Sequence, residues 1–156
     1  MGIRLTPRER LEVFGSTRLE DRADRAERGW GGTAQWAQRQ QRTSGYTRQD
    51  WLQLRTEQAS IHQRLLNAMN DGMPAASPAV MDLAEEHRQH IDRWFHDCGY
   101  STHCELAEVY RANERLGRNY DDMAPGLSQY IHDAIIANCE RAADGQDRPA
   151  TQHTPL

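Results

Sequence analysis

The chain has 156 residues, about the length of one domain, which argues against an enzyme assembled from separate cofactor and substrate modules. Its composition, 37% hydrophobic and 27% charged, is polar for a globular protein yet too apolar for a chain disordered throughout. The net charge of −4 argues against nucleic acid as the main partner, and it is unevenly spread: residues 1–64 carry 12 Arg against 8 acids (+4), residues 65–156 carry 7 Arg against 15 acids (−8).

In chain order the pattern is helical throughout. Thr6-Pro7-Arg8-Glu9 forms a capping box with proline at the first helical position, opening a short helix with Leu11, Val13 and Phe14 that stops at Gly15. The stretch from Arg18 to Arg28 alternates arginine with acids and offers a core little beyond Leu19 and alanines. Gly29-Trp30-Gly31-Gly32 breaks the chain, Thr33 caps a short helix carrying Trp36, and Ser44-Gly45 breaks it again.

Thr47-Arg48-Gln49-Asp50 then opens a long helix whose stripe runs Trp51, Leu54, Ile61, Leu65, Ala68 and Met69, close to the 3.6 period. Asn70-Asp71-Gly72 and Pro74 end it. Ser77-Pro78 opens a second, with Val80, Leu83, Ala84, His87, Ile91, Trp94 and Phe95 on one face and its end near Cys98-Gly99. Ser101 caps a helix presenting Leu106, Val109 and Tyr110, Asn113 caps a shorter one reaching Tyr120, and Pro125-Gly126 begins the last, with Leu127, Tyr130, Ile131, Ala134 and Ile135 inward.

Three units follow. Residues 1–46 hold aromatics but too few aliphatics to fold alone, so this segment is expected to be mobile until it covers something. Residues 47–142 form the helical core. Residues 143–156, rich in Asp, Gly, Gln, Pro and Thr, read as a disordered tail. No apolar run approaches the roughly 18 residues of a spanning helix and no signal-peptide h-region is present. The expectation is a soluble, cytoplasmic monomer without a membrane partner.

The search for chemistry gives little support to an enzyme. There is no Gly-x-Ser-x-Gly elbow, phosphate loop or dinucleotide fingerprint. His87-x-x-His90 puts two imidazoles on neighbouring helical positions, but the Glu-x-x-His pairs of a di-iron bundle are missing, and His87 within an apolar stripe is either a hydrogen-bonded core residue or a ligand contact. The helical pattern is compatible with globin-like packing, which raises a haem or metal protein using His87 or His103 as a minor alternative without a distinctive signature. No metal or cofactor is therefore assigned.

Aromatic side chains at breaks and helix ends stand out more. Trp51, Tyr110 and Tyr130 read first as core, whereas Trp30, Trp36 and Tyr46 sit in the weakly folding segment, where wide, rigid rings suit ligand covering. Three cysteines in no paired spacing argue against a disulfide framework or structural zinc. Cys98 and Cys139 read as packing residues. Cys104, in the first turn after the Ser101 cap and beside His103, is the candidate nucleophile toward an electrophilic ligand.

The run Glu86-His87-Arg88-Gln89-His90-Ile91, then Asp97-Cys98-Gly99-Tyr100 and His103, Tyr110, Asn113-Glu114-Arg115, Tyr120-Asp121, Pro125-Gly126-Leu127, Tyr130 and Asp133-Ala134-Ile135, resembles the TipAS antibiotic-recognition family. That family is the effector domain of thiostrepton-induced, MerR-type regulators. The likeness extends to Leu5-Thr6-Pro7, Glu12-Val13-Phe14-Gly15, Trp30-Gly31, Tyr46-Thr47 and Asp50-Trp51, and covers residues 3 to about 140.

The resemblance implies an all-α, globin-like antibiotic-binding domain in which a mobile N-terminal helical lid closes over a thiopeptide macrocycle. It implies sequestration of the drug, giving resistance or self-protection, or the sensing of another macrocyclic or aromatic antibiotic as a fragment of a regulator. Ligand contacts are expected from Trp30, Trp36, Tyr46, Trp51, His87, Phe95, Tyr100, His103 and Tyr110, with Cys104 as the candidate for covalent attachment. Thiopeptide dehydroalanines are Michael acceptors, but the family's capturing cysteine aligns with Glu105, and one position rotates a helical side chain by about 100°. No winged helix-turn-helix or coiled coil precedes this part, so DNA binding through this chain alone is not expected.

Overall fold

The structure is a computed structural model that describes residues 5–14, 34–112 and 114–146. Seven α-helices run through these residues: α1 (Pro7–Phe14), α2 (Ala34–Thr43), α3 (Arg48–Asn70), α4 (Pro78–Trp94), α5 (Tyr100–Ala112), α6 (Glu114–Asp121) and α7 (Leu127–Gln146). The helix expected over 18–28, Trp30, the Thr33 and Asn113 caps and the chain beyond 146 lie outside the described residues.

Local chemistry sets the helix ends. At α1, Thr6 N donates to Glu9 Oε1 (3.0 Å) and Glu9 N to Thr6 Oγ1 (3.1 Å), and Thr47 and Asp50 repeat the reciprocal box at α3 with bonds of 3.0 and 3.2 Å. Ser77 makes no side-chain cap bond, so α4 starts on proline's fixed φ alone. At the end of α3, Gly72 takes φ +75°, its N–H reaching Met69 O while Met73 N reaches Ala68 O. This is a Schellman closure, which glycine enters without steric cost. Gly126, at φ +87°, accepts the Tyr130 N–H through its carbonyl and caps α7.

Three boundaries differ from expectation. Helix α4 stops at Trp94 rather than near Cys98, because Phe95 N and His96 N both turn back to Ile91 O and Asp92 Oδ1 takes the Cys98 N–H. Helix α5 starts at Tyr100, one residue before Ser101, with Gly99 O receiving the His103 N–H. Helix α7 continues to Gln146, past the boundary at 142, since Ala142 and Ala143 favour helix.

The core lies where α3, α4, α5 and α7 meet. Trp51, Leu54, Ile61, Leu65 and Ala68 of α3 are buried as their spacing predicts, facing Val80, Ala84, Ile91 and Trp94 of α4. Helix α7 contributes Leu127, Ile131, Ala134 and Ile135 and packs against both α4 and α5. Ala84, Ala107 and Ala134 are sealed in this core, where α7 packs on both α4 and α5. Tyr130 Oη donates to Met73 O (2.8 Å), fastening α7 to the Schellman turn. Helix α1 rests on α3 through Leu5 and Val13, and α2 lies on α4.

Candidate functional site

Two groups of side chains carry polar chemistry inside this frame. The first joins α3, α4, α5 and α6. His87 Nδ1 and His103 Nε2 are 2.9 Å apart, and His87 Nε2 is 3.3 Å from Tyr120 Oη. Tyr120 and Tyr110 meet edge to face at 5.1 Å, and His62 stands against Tyr120 at 5.1 Å. His103 Nδ1 is buried with no partner among the described residues, so the arrangement that strands no N–H puts its proton on Nε2. The donors then run in one direction: His103 Nε2–H to His87 Nδ1 and His87 Nε2–H to Tyr120 Oη.

Burial dominates the electrostatics of this relay. It holds His87 well below the ordinary imidazole value, with the neighbouring His103 adding to the effect, and it drives His103 down to about 3 with help from the positive charge of Arg88. It pushes Tyr110 up to about 12 and Tyr120 well above the usual phenol value. All four groups are neutral at pH 7. They form a buried cluster of neutral polar rings in which both His87 ring nitrogens are engaged.

The second group joins α2 to the end of α4. The Arg39 guanidinium lies over Phe95 (4.7 Å to the ring centre) and beside Trp36 (5.6 Å). Tyr46 packs edge-on against Trp51 (5.7 Å) and Trp94 (5.6 Å) and donates its hydroxyl proton to Trp94 O. Arg42 pairs with Asp97 at 2.6 Å, and Asp97 N donates to Gln38 Oε1 at 2.8 Å. Below them Glu57 gathers His90 (2.7 Å), Arg93 (3.0 Å) and Trp94 Nε1 (3.2 Å).

Of the residues singled out from the sequence, His87, His103 and Tyr110 come together in the first group, and Trp36, Tyr46 and Phe95 in the second. Trp51 is 3% exposed and stands in the core beneath Tyr46. Tyr100 sits apart, under the Arg88 guanidinium at 4.4 Å. Arg88 also donates to Cys98 O (2.8 Å) and pairs with Glu85 (2.6 Å). Burial alone would raise the Glu85 carboxyl, but hydrogen bonds from Arg88, Asn138 and Gln89 and the charge of Arg88 outweigh it and hold the group at about 2.

Cys104 is half-buried on the fifth residue of α5, outside the first turn where the helix-terminus field is strongest. It neighbours Cys139 of α7, whose thiol donates to Tyr100 O (3.3 Å) and is pushed up to about 12 by burial and by Cys104. Cys98 is fully buried in the α4–α5 loop, its thiol likewise raised to about 12 by burial.

Sequence reasoning missed His62, Tyr120 and Arg39. His62 follows Ile61 on the flank of the α3 stripe, a position that gave a weak signal. Tyr120 stands in the sequence reading as the end of a short helix and in the family motif, without a site role. Arg39 had none, because its environment comes from α4. Among the described residues, no three His, Cys, Asp or Glu side chains are placed to hold a metal ion, and no helix is long and apolar enough to cross a membrane.

Among the described residues the domain is all-helical, with a buried neutral His/Tyr cluster and an aromatic patch at its N-terminal side, and its architecture is that of globin-like antibiotic-recognition domains. The profile of the TipAS antibiotic-recognition domain matches residues 23–138, and the chain belongs to that family. It is 42% identical over 141 residues to the HTH-type transcriptional activator TipA of Streptomyces coelicolor, covering 90% of this chain and 56% of the relative. It thus spans about half the length of that relative.

Among solved structures, TipAS from Streptomyces lividans in complex with nosiheptide, described as part of a thiopeptide multidrug-resistance system, superposes with a TM-score of 0.77. The sequences are 41% identical, with 90% of this chain and 99% of the other covered. The antibiotic-binding domain of a TipA-class multidrug-resistance transcriptional regulator is 43% identical, with a TM-score of 0.54 over 59% of this chain and 98% of its own.

Proposed function

We propose that this domain binds thiopeptide-type macrocyclic antibiotics non-covalently and withholds them from their target, conferring resistance or self-protection by stoichiometric capture rather than turnover. The observation that carries the reading is the near-complete structural match, at 41% identity, to a domain solved with nosiheptide. The chemistry of the two side-chain groups supports it. Thiazole rings are flat and weakly polar, which suits stacking against the half-buried rings of Trp36 and Tyr46, and the unpartnered His103 Nδ1 is an acceptor suited to an amide N–H of the macrocycle.

In this reading residues 1–46, with Trp30, Trp36 and Tyr46, close over the guest while residues 47–142 supply the bed. Cys104 faces its thiol neighbour on α7, which favours reversible capture over adduct formation. Because the TipA relative is a transcriptional activator of which the match covers 56%, a second reading is supported: the same domain serves as the sensing part of a regulator.

Titration of the purified chain with nosiheptide and thiostrepton, followed by calorimetry and amide spectra, tests the proposal. Saturable one-to-one binding with shifts concentrated in residues 1–46 is expected, and mass spectrometry should show the unmodified protein mass after incubation. Flat calorimetric traces from folded protein overturn the function. Binding without change in residues 1–46 overturns the closing segment.

A further inference from the structure

Arginine is the sole basic side chain apart from histidine in this sequence, and most of those described are spoken for. Arg42, Arg48, Arg64, Arg88, Arg93, Arg111 and Arg141 each lie against a carboxylate. Arg39 is an exception. Among the described residues no carboxylate lies within 4.0 Å of its nitrogens and no hydrogen bond engages its guanidinium, although the side chain is half-buried and desolvation draws it below its ordinary value.

The geometry explains how such a cation is held and what it lacks. Phe95 supports the guanidinium from below at 4.7 Å and Trp36 flanks it at 5.6 Å, so attraction to the ring faces fixes the group without using its N–H donors. Phe95 is held in turn by His90 at its edge (5.9 Å). A guanidinium partly stripped of water gains more from a carbonyl or carboxylate oxygen than an exposed one does, because less water must be displaced when the bonds form.

We propose that Arg39 is a specificity-determining contact: resting on Phe95, its fork of N–H donors takes up carbonyl or carboxylate oxygens of the bound macrocycle, so the domain selects guests that carry such an acceptor beside a flat ring. This rests on the thiopeptide reading above. It adds a polar criterion to a site otherwise governed by stacking.

Nosiheptide binding to the full chain is compared by calorimetry for the wild type, Arg39→Met and Arg39→Lys, with melting temperatures measured alongside. Arg39→Met is expected to bind at least tenfold more weakly, and Arg39→Lys to recover only part of the loss because an ammonium presents no planar fork. In nitrogen-15 spectra the Arg39 Nε–H should gain protection from exchange on binding, which a purely structural role would not produce. Wild-type affinity in Arg39→Met, or in Arg39→Lys should the methionine variant fail to fold, together with an unprotected Nε–H, overturns the proposal. No binding by folded wild type removes the thiopeptide reading itself, whereas binding that ignores Arg39 leaves that reading standing and removes this contact.

Discussion

The bundle of α3, α4, α5 and α7 and the N-terminal helices α1 and α2 are held by different forces. In the bundle the contacts are apolar and sealed: Leu54, Leu65, Ile131 and Ile135 are each 0–1% exposed, and each is worth about 1.5–3 kcal/mol of burial. Among the described residues the N-terminal helices are attached through polar bonds, among them Arg48 to Glu12, Arg42 to Asp97, Gln38 to Asp97 and Tyr46 to Trp94, together with the buried Leu5 and Val13 and the partly buried Trp36 and Tyr46. Exposed ion pairs contribute about 0–1 kcal/mol each and weaken with salt. A domain built this way has a bed whose shape is set by packing and a cover whose attachment is adjustable.

The largest test of that contrast is a cavity in the bed. Ile135→Ala should cost about 2–5 kcal/mol, read as a lower urea midpoint with an unchanged slope. A cost under 1 kcal/mol would mean the bundle is looser than its burial implies. Acid should also strike the bed. His87 and His103 lose proton affinity on folding, so between the ordinary value near 6.5 and about 3 the unfolded chain binds more protons than the folded one. Their contribution is complete above pH 6.5 and is lost as pH falls, at up to about 1.4 kcal/mol per unit for each imidazole. Stability that holds flat from pH 7 to pH 4.5 would contradict their burial.

Smaller effects belong to the cover. Tyr46→Phe keeps the ring between Trp51 and Trp94 but strands the Trp94 carbonyl, at a cost of about 1 kcal/mol. Arg42→Ala should shift global stability by less than about 1 kcal/mol while speeding amide exchange in α2 far more than in α3 or α7. Adding 0.5 M salt, roughly a Debye length of 4 Å, should reproduce part of that exchange pattern in the wild type. Equal acceleration in α2 and α7 would erase the distinction between the two regions.

How far the sequence foretold each region follows from the range of the forces involved. The α3 and α4 stripes, the Thr6 capping box, the helix start at Thr47 and the Gly72 stop depend on neighbours within a few residues, and all are present in the structure. The end of α4 was misjudged because Arg88 and Asp92 bind Cys98 across a loop, which periodicity does not encode. Within the candidate site, His87, His103 and Tyr110 were singled out through the family resemblance, whereas spacing alone read Tyr110 as core and left His87 open. Their link through Tyr120 and the approach of His62 arise from four helices at once, as does the solitary position of Arg39, which is defined by what α4 does not place opposite it.

The sealed alanines at positions 84, 107 and 134 carry a consequence for how such a domain meets chemically varied guests. Where backbones meet over methyl groups, no side chain is left to fold aside, so the seam can neither swell nor shrink to suit a differently sized occupant. Any accommodation must then be made at the opposite boundary, by resetting polar links that break and re-form cheaply. The bundle is thus an unyielding foundation beside more adjustable N-terminal helices, and substitutions that enlarge Ala107 or Ala134 prise that foundation apart.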